Sequence, residues 1–166
     1  PDNKLVGTNI PNIVLYDYNI SLAGKCAVDY LQDYSGYLQV DGYVGYEQIQ
    51  ATLVGCWAHA RRKFMEAKIA QGKKPSGKAD WALNHIQKLY RIETLIKDKT
   101  VDERQAIRQE KSLPLLEQLK QWLIKSEQSV LPKTKLGEAI TYCLNQWGKL
   151  TVYPNDGALN IDNNRA

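Results

Sequence analysis

Apolar and polar positions change their period along the chain. Residues 13–18 (Ile-Val-Leu-Tyr-Asp-Tyr) are β-branched and aromatic and lie between Pro11-Asn12 and Asn19. They predict a strand with Ile13, Leu15 and Asp17 on one face and Val14, Tyr16 and Tyr18 on the other. Leu22, Cys26, Tyr30, Leu31 and Tyr34 then recur at helical spacing, from the natural N-cap Ser21 to a stop at Gly36. Residues 37–41 (Tyr-Leu-Gln-Val-Asp) predict a second strand, ending at Asp41-Gly42, and residues 52–57 a third, short one. Strand, helix, strand, strand is an α/β pattern.

From Ala58 the period becomes helical. A basic helix is predicted over 58–70, ending near Gly72, and residues 73–78 have loop composition. Ala82, Ile86, Leu89 and Ile96 mark the stripe of a helix over about 79–98, with Trp81 and Tyr90 on its flanks. Thr100 followed by Glu103 is a capping box that opens another helix. Pro114 either kinks that helix or sits in the first turn of the next. Leu115, Leu116, Leu119, Trp122 and Leu123 carry the stripe onward, and Leu136, Ala139, Ile140, Cys143, Leu144 and Trp147 form a last helix closed by Gly148. Residues 150–153 read as strand or extended chain, and residues 154–157 as a turn. Asp162, Asn163 and Asn164 are N-cap residues with no helix after them, so the chain is expected to be excerpted or truncated.

Composition fits one domain with a real core: 166 residues, 43% hydrophobic, 24% charged. Mean hydropathy is −0.46, and no apolar run is long enough for a membrane span. No secretory signal opens the chain, which starts at Pro1. Three cysteines, Cys26, Cys56 and Cys143, argue against a disulfide framework and for a reducing interior. The net charge of +4 conceals a division. Residues 1–57 hold two bases and six acids, whereas residues 58–166 hold 20 bases and 12 acids. A polyanion and plain water are both suitable neighbours for such a basic region.

Two runs carry candidate chemistry. Asp41 is a carboxylate at the C-terminal edge of a strand, where active sites of α/β sheets gather; a strand-ending Asp-Gly turn has the same pattern. The run from Val54 to Phe64 is the denser. Cys56 and His59 have metal-compatible spacing, but no second Cys/His pair exists, so zinc is not expected. A Cys56–His59 nucleophilic pair requires the side chains to meet in space. Arg61, Arg62 and Lys63 at a strand-to-helix junction suit a phosphate, and equally a solvated basic turn. Walker, dinucleotide, G-x-S-x-G and kinase signatures are absent. Trp81, Trp122 and Trp147 fall on helical stripes and read as core or interface.

Tyr37-Leu-Gln-Val-Asp-Gly-Tyr43, Val54-Gly-Cys-Trp-Ala-His-Ala-Arg-Arg-Lys-Phe64 and Asn160-Ile-Asp-Asn-Asn-Arg-Ala166 resemble, in that order, the transposases of the bacterial insertion-sequence group numbered sixty-six. The resemblance extends over essentially the whole chain. It implies an α/β (α+β) fold: a partial ribonuclease-H-like sheet of about three strands with a large all-helical insertion. The implied divisions are 1–57, a partial α/β region; 58–149, the basic helical insertion; and 150–166, a return to the catalytic core that stops before the catalytic helix. The implied activity is that of the DDE class, which cuts and joins DNA strands at transposon ends by in-line attack, with two Mg²⁺ ions held by two Asp and one Glu.

Carried over by position, Asp41 matches the second catalytic and metal-binding Asp, and Arg165 belongs to the motif leading into the catalytic helix. Arg61, Arg62, Lys63 and Arg165 are the expected DNA contacts. Cys56, Trp57 and His59 belong to a motif with no role assigned. The family's first Asp lies upstream of this chain, and its Glu directly follows the position of Ala166. One carboxylate of three is therefore expected here, which implies Mg²⁺ in the complete enzyme, no tight metal binding by this chain, and no catalysis by it alone. The resemblance further implies DNA as partner, no membrane, and a bacterial cytoplasmic location. A ribonuclease-H-like sheet has strand order 3-2-1-4-5, so lacking strands 1 and 2 predicts a rearranged small sheet or a swapped homodimer. The alternative reading is a non-enzymatic helical interaction module using its tryptophans.

Overall fold

The computed structural model describes residues 24–31, 33–72 and 77–164. The strand expected over 13–18, with Asp17, and the DNA contact expected at Arg165 lie outside these residues.

Helix α1 spans Gly24–Tyr30. It stops short of the expected end at Gly36, because the Tyr34 N–H turns back to the Leu31 carbonyl (2.9 Å) and the Tyr34 hydroxyl donates to the Tyr37 carbonyl (2.8 Å). Strands β1 (Tyr37–Val40) and β2 (Thr52–Gly55) pair in parallel, with Tyr37 opposite Thr52 and Val40 opposite Gly55. Parallel neighbours need a crossover, supplied here by a 3₁₀ turn at Val44–Gln48 on which α1 packs. Strand β2 ends earlier than the predicted residue 57. Trp57 instead opens a helix, giving its backbone N–H to the Ile161 carbonyl (3.1 Å) and its indole N–H to the Leu150 carbonyl (2.9 Å).

Helix α2 (Trp57–Gln71) buries Trp57, Ala60, Phe64 and Ala67, one apolar face at helical spacing, and ends at Gly72 with φ 71°. Helix α3 (Lys78–Ile96) buries Ala82, Ile86, Leu89 and Ile96 as the spacing predicts, together with His85. The Thr100–Glu103 capping box opens α4 (Val101–Ile107). One π turn, Arg108–Ser112, joins α4 directly to α5 (Leu113–Glu127), with the Leu113 N–H donating to the Arg108 carbonyl. Pro114 thus lies in the first turn of α5. Its missing N–H and the bulk of its ring, which would crowd the carbonyl four residues back, are accommodated by the widened turn.

Helices α6 (Lys135–Asn145) and α7 (Trp147–Leu150) follow. Gly148 lies inside α7 and is not the expected stop; the break is at Gln146, with φ −95° and ψ 6°. Residues 150–153 are not a strand. Leu150 ends α7, and Tyr153–Asn155 form a 3₁₀ turn that Pro154 favours and that buries Tyr153 completely.

The result is a mostly helical α+β structure whose sheet, among the described residues, has two parallel strands. One buried cluster joins Val54 of β2, Phe64 of α2, Leu89 of α3, Leu119 of α5, Ile140 of α6 and Ile161 of the tail. Trp57 meets Trp147 edge-on at 6.2 Å, and Phe64 meets Trp122 at 6.3 Å. Among the described residues no helix is long and apolar enough to cross a membrane.

The π turn does one further thing. It places Arg108, 0% exposed, against Glu93 of α3 in a two-pronged pair of 2.9 and 2.6 Å. The same guanidinium donates to the carbonyls of Tyr153 (3.1 Å), Asp156 (2.8 Å) and Leu159 (2.9 Å). Arginine's planar fork suits such multiple donation, and a buried charge is tolerated only when paired in this way. Gly157 belongs to the same docked loop: a Cβ there would run into the Val101 carbonyl. Arg108 therefore clips the chain after α7 onto the helical layer and directs it back towards the strands.

Candidate nucleic-acid interface

The returning tail is held at successive residues by different elements. Gln39 of β1 donates to the Asn160 carbonyl (3.1 Å), Trp57 of α2 to the Ile161 carbonyl (3.1 Å), Tyr90 of α3 to the Asp162 carboxylate (2.5 Å) and the Cys56 thiol to the Asn163 side chain (3.1 Å). Burial, then the bond to Asp162, pushes the Tyr90 hydroxyl far above its ordinary range, so it stays a proton donor. These bonds bring the third family-like segment against the start of α2, where the second one lies.

The first segment arrives from the other side. Asp41 directly follows β1 at its carboxyl end, with its carboxylate accepting from the Tyr43 N–H at 3.1 Å. Gly42 takes φ 94°, a left-handed conformation that glycine adopts at little cost, and a Cβ there would also press on the Tyr142 hydroxyl at 3.1 Å. The Asp-Gly turn is thus real, and it leaves Asp41 exposed at the mouth of a cleft of about 400 Å³. His59, Arg62, Lys63 and Glu66 line that cleft from α2; their spacing of three and four residues puts them on one helix face. Tyr142 of α6 completes it, donating to the Asp41 carbonyl at 2.8 Å. Burial, with smaller effects from Cys143, Cys56 and Asp41, pushes Tyr142 up to about 12, so it is a protonated donor at neutral pH. The Lys63 ammonium lies 5.0 Å from the Tyr142 ring centroid, a cation–π contact.

Across Arg62 a second cleft, of about 370 Å³, is lined by Arg61, Arg62, Gln87, Tyr90, Asp162 and Asn164. Arg61 and Arg62 are exposed, and among the described residues neither guanidinium is held in an ion pair. The structure thus gathers Asp41, His59, Arg62 and Lys63 in one cleft and puts Arg61 in its neighbour. Cys56 does not join them: it is buried and bonded to Asn163, so it forms no nucleophilic pair with His59. The Nδ1 of His59 is buried with no hydrogen-bond partner among the described residues. Trp57 is a core side chain, fully buried.

The donors do not by themselves fit a two-Mg²⁺ centre. Among the described residues no group of three or more His, Cys, Asp or Glu is arranged to hold a metal ion. Mg²⁺ seeks near-octahedral oxygen coordination, and one Asp41 oxygen already accepts from Tyr43. Sequence reasoning missed Arg108, Tyr90 and Tyr142. A signal for Arg108 exists: the stripe Leu123, Leu119, Leu116 extends backwards at helical spacing to Ser112 and Arg108, and all of these are buried.

Residues 4–166 match the family model described as "Transposase IS66 family". The chain is 32% identical over 182 residues to "Uncharacterized protein y4hP" of Sinorhizobium fredii (strain NBRC 101917 / NGR234), covering 99% of this chain and 33% of that protein. It is 32% identical over 177 residues to "Uncharacterized protein y4qI" of the same organism, covering 98% of this chain and 32% of the relative. The chain therefore spans about a third of the length of the curated relatives it matches. No solved structure matches it.

Proposed function

The chain belongs to the Transposase IS66 family, and from that membership and the geometry around α2 we propose that it is the part of a DDE-class transposase that holds a DNA phosphate backbone beside Asp41. The observation that carries this reading is the convergence of Asp41, His59, Arg62 and Lys63 on one cleft at the carboxyl end of a parallel strand. Ligands of α/β sheets bind outside the carboxyl ends of strands, and an exposed guanidinium and a half-buried ammonium group, neither in an ion pair among the described residues, suit phosphate there. The β1–β2 pair is then part of a ribonuclease-H-like sheet. Asp41 supplies one carboxylate of the Mg²⁺ site in the complete enzyme, which cuts and joins transposon ends in the bacterial cytoplasm. Arg165 extends the DNA contact, and two copies pair through the edge of β1 that has no neighbouring strand among the described residues. The chain alone, with one such carboxylate, binds without cutting.

The test is binding of a labelled DNA duplex by fluorescence anisotropy across a salt series. Affinity should fall steeply with salt, and Arg61→Ala, Arg62→Ala and Lys63→Ala should each flatten the log–log slope by about 0.9 per lost phosphate contact. Absence of binding at low salt would refute the reading. Trp81 favours the second reading, a protein-interaction module: it is 39% exposed and stacked between His85 (4.7 Å) and Trp122 (4.6 Å). In that case Trp81→Ala weakens a protein partner, and the three basic substitutions change nothing.

A further inference from the structure

Three clefts adjoin one another in a row through shared lining residues. The Asp41 cleft and its neighbour share Arg62, and the neighbour shares Asp162 and Asn164 with a third, of about 330 Å³, that is further lined by Lys97, the residue that follows α3, and Arg104 of α4. Gln87, Tyr90 and Glu93 recur three residues apart, so α3 runs alongside the last two clefts. We propose that a DNA strand placed at Asp41 does not end at α2 but continues along this track, with Lys97 contacting a second, separate stretch of its phosphate backbone.

The charges along the track favour this occupant. In the second and third clefts the acids have partners: both oxygens of Glu93 are taken by Arg108, and Asp162 accepts from the Tyr90 hydroxyl and from the Asn164 N–H (3.1 Å). Three of the track's bases are comparatively free. Arg61 and Arg62 have no ion pair among the described residues, and the exposed Lys97 meets only the equally exposed Asp98 at 4.0 Å, a contact worth little in water. Gln87 and Asn164 between them are exposed amides able to donate to phosphate oxygens. With Glu93 neutralised by the buried Arg108, Arg61, Arg62 and Lys97 outnumber the remaining carboxylate of these two clefts, Asp162, which suits a polyanion.

The inference rests on the DNA-binding reading above, and its test separates the two. The 166-residue chain is titrated with a labelled random-sequence duplex and with the single strand of the same length. Lys97→Ala should lower the magnitude of the salt slope by about 0.9 on the duplex, or about 0.7 on the single strand. Gln87→Glu, an exposed change that puts a negative charge mid-track, should weaken binding several-fold at low salt. Lys125→Ala, on the exposed face of α5 away from all three clefts, should leave the slope unchanged. If Arg62→Ala flattens the slope while Lys97→Ala and Gln87→Glu match the parent, the DNA stops at α2 and the inference is overturned. If the parent chain binds neither DNA, the underlying reading fails as well.

Discussion

Arg108 and the pair Arg61–Arg62 carry the same guanidinium and are put to opposite uses. Arg108 is buried, paired with Glu93 and bonded to three carbonyls of the returning chain. Arg61 and Arg62 project from α2 into clefts and have no ion pair among the described residues. A side chain with every donor used holds a fold together and has nothing left for a ligand. One with its donors unused adds little to stability and is available to a phosphate. The helical layer does both: it fixes the tail with one arginine and leaves Arg62 facing the strand end that bears Asp41, with Arg61 in the adjoining cleft.

The comparison breaks first at Arg108. Arg108→Ala strands the Glu93 charge, only 13% exposed, and takes their guanidinium donor from the Tyr153 and Asp156 carbonyls, which should cost about 3–5 kcal/mol in urea unfolding. Loss below about 1 kcal/mol would mean the clip is dispensable. Tyr90→Phe should cost less, about 1–2 kcal/mol, because Asp162 is only half-buried and water can replace the hydroxyl. An unchanged urea midpoint in Tyr90→Phe would remove Tyr90 from the account of how the tail is held.

The third effect is pH-dependent. Burial holds His85 below its ordinary value, partly opposed by its bond to the Leu115 carbonyl (2.8 Å). In the unfolded chain His85 titrates near 6.5, so below that pH the unfolded state binds the extra proton first. Stability should therefore decline as pH falls from about 6.5 towards the lowered folded value, and His85→Gln should flatten that part of the profile. The same slope in both proteins would assign the pH dependence elsewhere. Smallest of all, Arg61→Ala and Arg62→Ala should each shift stability by under about 0.5 kcal/mol, as exposed residues without partners do. A cost comparable with that of Arg108→Ala would end the contrast between the two arginine environments.

Local patterns predicted most elements because their causes are local. The stripe of α3, the Thr100 capping box and the end of α2 at Gly72 depend on residues a turn apart. Trp57 was misplaced on a strand because aromatic residues favour strands, whereas here the indole is buried by Leu150 and Trp147, far along the chain. Residues 150–153 look extended by their β-branched content and are instead a tight link from α7 to the 3₁₀ turn, with Leu150 and Tyr153 buried at its two ends. The π turn was hidden in the choice that Pro114 left open. Of the site, Asp41 and the basic face of α2 were visible as motifs, but their meeting was not. It depends on Tyr142, whose bond to Asp41 spans 101 residues of sequence, while the bonds of Tyr90 and Asn163, spanning 72 and 107, bring the tail to the same helix.

The central claim is that the free cations around Asp41 are there for DNA, and a ligand-induced thermal shift tests it most directly. Anything that binds the folded chain and not the unfolded one raises its melting temperature by mass action. A random-sequence duplex added at low salt should raise the Tm of the parent chain, and the rise should vanish in high salt and in the triple variant Arg61→Ala, Arg62→Ala, Lys63→Ala. An equal rise in parent and triple variant, or none in the parent, would contradict the account.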